Sequence, residues 1–209
     1  CYIWEHPQEV YGIILFKYLI IMRSFSLLIF STLFLAITCF TSCSNDDEVI
    51  APIAEEVITQ AVYTLISQAD PTNIVVFTFL DADGEGGLDG TSSVTGTLNA
   101  GTVYDGALTF ANTIEGEDIT EEINEEKEEH QVFFQSTVDG MTIAYADVDA
   151  NNAPVGLSST ATTGDAGTGT LTITLRHEPT KDADGVSSGD ITNAGGETDI
   201  EVTFDVTVE

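Results

Sequence analysis

The chain has 209 residues, with 35 Asp and Glu against five Lys and Arg, and a formal net charge of −30. Such a surface repels nucleic acid and anionic membranes, and it favours solubility and the binding of cations or basic partners. The three cysteines are Cys1, Cys39 and Cys43, so the chain beyond Cys43 admits no disulfide and no cysteine-based metal site.

The first Met is Met22, followed by Arg23-Ser24, an apolar run from Phe25 to Ile37, and Thr-Cys-Phe-Thr-Ser-Cys. A short basic start, an apolar middle and a small-residue end are the layout of a secretory signal. Residues 1–21 precede it and read most simply as sequence upstream of a start at Met22; the alternative is a longer N-terminus with a second apolar run. A retained membrane span needs about 20 apolar residues. Tyr11–Phe40 has the length, but Lys17 and Arg23 interrupt it, and central charges are costly in lipid. A cleaved signal fits better.

Thr41-Ser42 before Cys43 are small, as a signal peptidase requires, whereas Thr38 before Cys39 is bulkier. The pair followed by Cys43 resembles a bacterial lipobox, with Phe40 departing from the usual Leu. That resemblance implies lipidation of Cys43 as the first mature residue. An ordinary secretory cut near Ser42 is the other reading, and it would leave a free thiol. Diacylation removes that thiol and supplies the two chains that stable anchoring requires. Of the acidic residues only Glu5 and Glu9 precede Cys43, and of the basic ones only Lys17 and Arg23, so the remaining 167 residues carry the whole net charge. That length buries one core, which implies one domain.

Residues 43–56, with the acidic run SNDDEVIAPIAEE, have no clear period and read as a tether. An acidic run behind a lipidated Cys also resembles the surface-export signal of Bacteroidota lipoproteins; a plain solvated linker is compatible with it. From 57 to 209 the pattern is β. Ile74–Leu80 (IVVFTFL) is apolar on both faces and reads as a central strand. Tyr104, Gly106, Leu108 and Phe110 alternate with polar residues, with Gly106 a candidate bulge. Met141, Ile143 and Tyr145 alternate, as do Leu171, Ile173 and Leu175, and as do Ile200, Val202, Phe204, Val206 and Val208. Weaker strand signals cover 57–66, 93–98, 132–137 and 155–160. About seven to nine short strands with Gly/Asp/Asn turns predict an all-β fold, an antiparallel, immunoglobulin-like β-sandwich behind an N-terminal signal segment. Glu115–His130 breaks the pattern. Its nine acidic residues, with Ile119 and Ile123 four apart, predict a short surface helix or an acidic loop.

Asp81-Ala-Asp83-Gly-Glu85-Gly-Gly-Leu-Asp89 places Asp81, Asp83, Glu85 and Asp89 at calcium-loop positions 1, 3, 5 and 9. Position 12 is Ser92 rather than Glu, and a strand precedes the loop, so it is no EF-hand. Two readings stand: a calcium site on these four residues, or turns built from residues that accept left-handed backbone. Asp147-Val-Asp149-Ala-Asn151-Asn152 and Asp182-Ala-Asp184-Gly185 invite the same pair of readings. His130 and His177 each sit beside acids; as a pair they would suit a transition metal, but they lie far apart and nothing in the sequence brings them together. The sequence holds no Gly-x-Ser-x-Gly elbow, HExxH, P-loop or dinucleotide-binding glycines.

The segments EDITEEINEEKEEHQVFF (117–134) and LRHEPTKDADGVSSGDITNAGGETDIEVTFDV (175–206), and more weakly GTLNAGTVYDGALTFAN, resemble a group of small Bacteroidota envelope lipoproteins. Those proteins are labelled with a type 1 periplasmic-binding fold. The label implies alternating strands and helices in two lobes, whereas the residue pattern here implies strand after strand.

The expected protein is therefore a lipid-anchored envelope module, at the outer membrane, that binds a protein or glycan partner without catalysis and is stiffened by calcium if the Asp-rich loop holds it. A solute- or glycan-binding component of a transport system is the alternative. Mass spectrometry of the mature N-terminus is expected to find acylated Cys43; an intact N-terminus at Cys1 would overturn both anchor and start.

Overall fold

The computed structural model describes residues 57–84 and 87–209. Residues 1–21, the signal at 22–42, Cys43 and the tether up to residue 56 lie outside them, as does Glu85. The described residues form nine strands: β1 (Gln60–Ser67), β2 (Ile74–Leu80), β3 (Thr91–Thr95), β4 (Val103–Ala111), β5 (His130–Ser136), β6 (Thr142–Tyr145), β7 (Ser158–Thr162), β8 (Gly167–His177) and β9 (Glu197–Val208). They make two antiparallel sheets, ordered β3-β2-β1-β4-β7-β6 and β5-β8-β9. This is the all-β sandwich that the alternation predicts. The alternating strands and helices implied by the periplasmic-binding label are not found among the described residues.

Alternation decides which face is buried. Tyr63 and Leu65 of β1, Val75 and Phe77 of β2, and Tyr104, Leu108 and Phe110 of β4 point inward from the larger sheet. Leu171, Ile173 and Leu175 of β8 and Val202, Phe204, Val206 and Val208 of β9 meet them from the smaller one, in one continuous core. Phe77 and Phe204 join the sheets edge to face at 5.5 Å, and Tyr63 meets Phe134 at 5.4 Å. Each such side chain contributes roughly 1.5–3 kcal/mol by leaving water. Threonines fill the outward positions: Thr172 and Thr203 share a hydroxyl hydrogen bond of 2.9 Å across β8 and β9. The last strand is an edge, but the backbone of Leu98 and Ala100 hydrogen-bonds its end at Glu209.

Two local expectations resolve differently. Gly106 is no bulge, because β4 runs in unbroken register with both neighbours. Glycine is required by close approach: a Cβ there would meet Ser159 Oγ at 2.3 Å and Tyr63 Oη at 2.7 Å. Those two hydroxyls hydrogen-bond each other at 2.7 Å in the space it leaves, and burial pushes the Tyr63 pKa up to about 12. Also, β2 is flanked on both sides, by β3 and β1, but it lies one strand from the sheet edge and its outer face is exposed at Ile74.

The acidic segment does contain a helix, α1 (Ile119–Glu125). Asp118 caps it by accepting a hydrogen bond from the Thr120 N–H, and Ile119 and Ile123 are its buried stripe. The chain from Glu126 to Glu129 then turns into β5, and a 19-residue excursion, 178–196, links β8 to β9. This excursion lays Val186 and Ala194 over Phe133, on the outer face of β5.

Candidate functional site

The buried acidic, histidine and lysine side chains among the described residues gather at one end of the smaller sheet. They are His130, His177, Asp149 and Lys181, together with Asp199, whose side chain is 0 % exposed. Pairing register explains the first group. His130 opens β5 and His177 closes β8, and the two are direct cross-strand partners. Their rings stack 4.7 Å apart with planes at 21°. Both belong to the inward alternation, in phase with Val132 and Leu175.

Asp199 arrives by an irregularity. Leu175 pairs with Ile200, but the next residue, Arg176, pairs with Thr198. Asp199 is the extra residue of a β-bulge, and a bulge re-aims the side chain it inserts. Instead of projecting outward like Glu201, it places Oδ1 3.9 Å from His177 Nδ1 and Oδ2 4.0 Å from His130 Nε2. Tight backbone returns help form this corner. Glu178 has φ +49°, and a Cβ at Gly196 would lie 2.1 Å from the His177 carbonyl oxygen. Only glycine lets β9 start so close to the end of β8.

The other ring nitrogens also face acceptors. His130 Nδ1 lies 3.1 Å from the Glu126 carbonyl. A carbonyl can only accept, so Nδ1 carries the proton and Nε2 turns its remaining valence toward Asp199. His177 Nε2 lies 3.9 Å from Glu129 Oε2, on the one side of the cluster that reaches solvent.

The second group is an ion pair. Lys181 Nζ donates to Asp149 Oδ2 at 3.0 Å and to the Lys127 carbonyl. Asp149 Oδ1 accepts the backbone N–H groups of Asn151 and Ala153. Burial raises the pKa of this carboxyl, but the backbone donors and Lys181 outweigh that and hold it below the usual carboxylate range. Residues 126–130 tie the two groups together: Glu126 holds His130, Lys127 holds Lys181, the Glu128 carboxylate accepts from the Ala150 N–H, and the Glu129 carbonyl accepts from the Glu178 N–H. Beside the ion pair is an open cleft of about 530 Å³, lined by Glu128, Asn151, Asp182 and Ser187 among others.

Described aspartates of the Asp-rich stretches make turn hydrogen bonds. Asp81 Oδ1 accepts the N–H groups of Asp83 and Gly84, and Asp83 Oδ2 accepts that of Leu88, as turn-forming aspartates do. Asp89 is exposed, and Glu85 lies outside the described residues. Asp147 accepts from Gly156 and Ser158 across a loop. Asp182 and Asp184 are exposed on the excursion. Among the described residues two groups of potential ligand atoms converge, His130 with His177 and Asp199, and Glu129 with His177 and Glu178; sequence reasoning missed Asp199. The signal available to it was the position of Asp199 just before the strict alternation that begins at Ile200, behind the pair Gly195-Gly196.

Comparison with family models, with curated proteins and with solved structures returned no match. The geometry itself gives a test at the ion pair. Lys181→Ala strands Asp149 at the wall of an open cleft and is expected to lower stability by about 2 kcal/mol at neutral pH. Because the folded pKa of Asp149 is depressed, the stabilisation is present above the ordinary carboxylate range and is lost as pH falls through the folded value. The gap between wild type and variant in denaturant midpoint should therefore close on acidification. Equal midpoints at pH 7 would refute the pairing.

Proposed function

We propose that this protein is a lipid-anchored module of the cell envelope, held through Cys43, that binds a partner without transforming it. The signal layout, the small pair before Cys43 and the acidic tether support the anchor. The observation that carries the binding role is the concentration of buried charge at one end of the sandwich, beside the cleft of about 530 Å³. Burying charge is costly, so its placement marks a candidate site. Lys181 is committed to Asp149 and the Lys127 carbonyl, which leaves it unsuited to act as a base or nucleophile. Glu128 and Asp182 give the cleft an acidic rim, and with the chain's charge of −30 this favours a basic segment of a protein partner.

A solute- or glycan-binding role is the second reading, favoured by a cleft volume within the range of small-molecule sites. Calorimetric titration of the full chain with an Arg/Lys-rich peptide and with a neutral oligosaccharide separates the two. Saturable peptide binding is expected, weakening with salt and severalfold weaker in a Glu128→Gln/Asp182→Asn variant. Peptide binding unchanged by those substitutions would contradict the cleft. Saturable binding of the oligosaccharide alone would transfer the site to the second reading.

A further inference from the structure

We propose that His130 Nε2, His177 Nδ1 and Asp199 form a binding site for a divalent transition metal, with zinc as the best-suited ion, clamping β5, β8 and β9 together at their shared end. One ligand atom from each residue lies within 4.8 Å of the other two. Two imidazoles and a carboxylate are the donor set of zinc and its first-row neighbours, whereas calcium prefers oxygen alone.

The spacing suits an ion better than direct contact. Carboxylate–imidazole separations of 3.9 and 4.0 Å are too long for hydrogen bonds. A tetrahedral ion with bonds of about 2.0–2.1 Å holds its ligand atoms roughly 3.3 Å apart. Reaching that geometry closes the two carboxylate–imidazole separations by roughly 0.6–0.7 Å, and ligand atoms as far as 4.8 Å apart by up to about 1.5 Å, with rotation of the stacked rings about their broad terminal torsions.

The surroundings are those of a ligand set. A metal-binding histidine commonly offers its second nitrogen to a carbonyl or carboxylate, which fixes the tautomer. His130 does so toward the Glu126 carbonyl, and His177 turns Nε2 toward Glu129. Each ring thereby directs its remaining nitrogen at Asp199. Glu129 is thus a positioning residue for His177.

Zinc titration of the chelator-treated full chain tests the site, with a chromophoric chelator as competitor. One equivalent is expected to bind, and free zinc at a hundredfold above Kd should raise Tm by about 5–10 °C. His177→Gln and Asp199→Asn should weaken binding at least about 100-fold, Glu129→Gln about tenfold, and the distant exposed Asp165→Asn not at all. Should the ligand variants fold poorly, imidazole ¹⁵N shifts of the wild type decide: His130 Nε2 and His177 Nδ1 should move to metal-bound values with zinc. No binding by zinc, a shift that survives His177→Gln, or ring nitrogens that respond to protons and not to zinc would overturn the proposal.

Discussion

The structure of the candidate site depends on one constraint, the register in which β5, β8 and β9 pair. A slip of one residue in a sheet sends every side chain to the opposite face. The core already fixes this register, because Leu171, Ile173 and Leu175 must face inward together with Val202, Phe204 and Val206. His130 and His177 are carried into apposition by that packing. The single inserted residue at Asp199 then breaks the phase locally, so one carboxylate turns inward where the alternation would leave it in water. Hydrophobic burial thereby sets the positions of a buried acid and two imidazoles.

The acidic segment after α1 serves this end of the molecule in a way that its charge alone does not suggest. Four successive residues, Glu126 to Glu129, hold His130, Lys181, the Asp149 loop and the start of the excursion after β8. Three of these contacts use backbone carbonyls. The carboxylates stay largely at the surface, where they add to the negative field around the cleft. The excursion in turn covers Phe133 and receives the Gln131 side chain at the Val186 carbonyl, 2.9 Å away. One short stretch therefore couples the histidine cluster to the cleft.

Strand existence was legible in the sequence because period-two burial is a local property. The nine strands of the described residues coincide with stretches that alternate strongly or weakly or, for β2, are apolar on both faces, and Ile119 and Ile123 marked the helix face. Non-local facts were not legible. Alternation tells which face of β5 or β8 is inward, but not which strand lies beside which, so the meeting of His130 and His177 could not be read. Gly106 looked like a bulge because its real cause, the ring of Tyr63 crossing beneath it, lies on another strand. The reverse error hid Asp199: a true bulge fell just outside the regular run and carried no glycine of its own. Aspartates in DADG- and DVDA-type stretches have the residue types of ligands, and in the structure their oxygens accept backbone N–H groups.

The proposed metal site of His130, His177 and Asp199 depends on register and bulge together. Anomalous diffraction at the zinc edge, from crystals of the protein grown with one equivalent of zinc, tests it most directly. The account predicts one strong peak within about 2.0–2.2 Å of His130 Nε2, His177 Nδ1 and an Asp199 oxygen. A peak placed elsewhere on the acidic surface, or no peak between the two histidines, would contradict it.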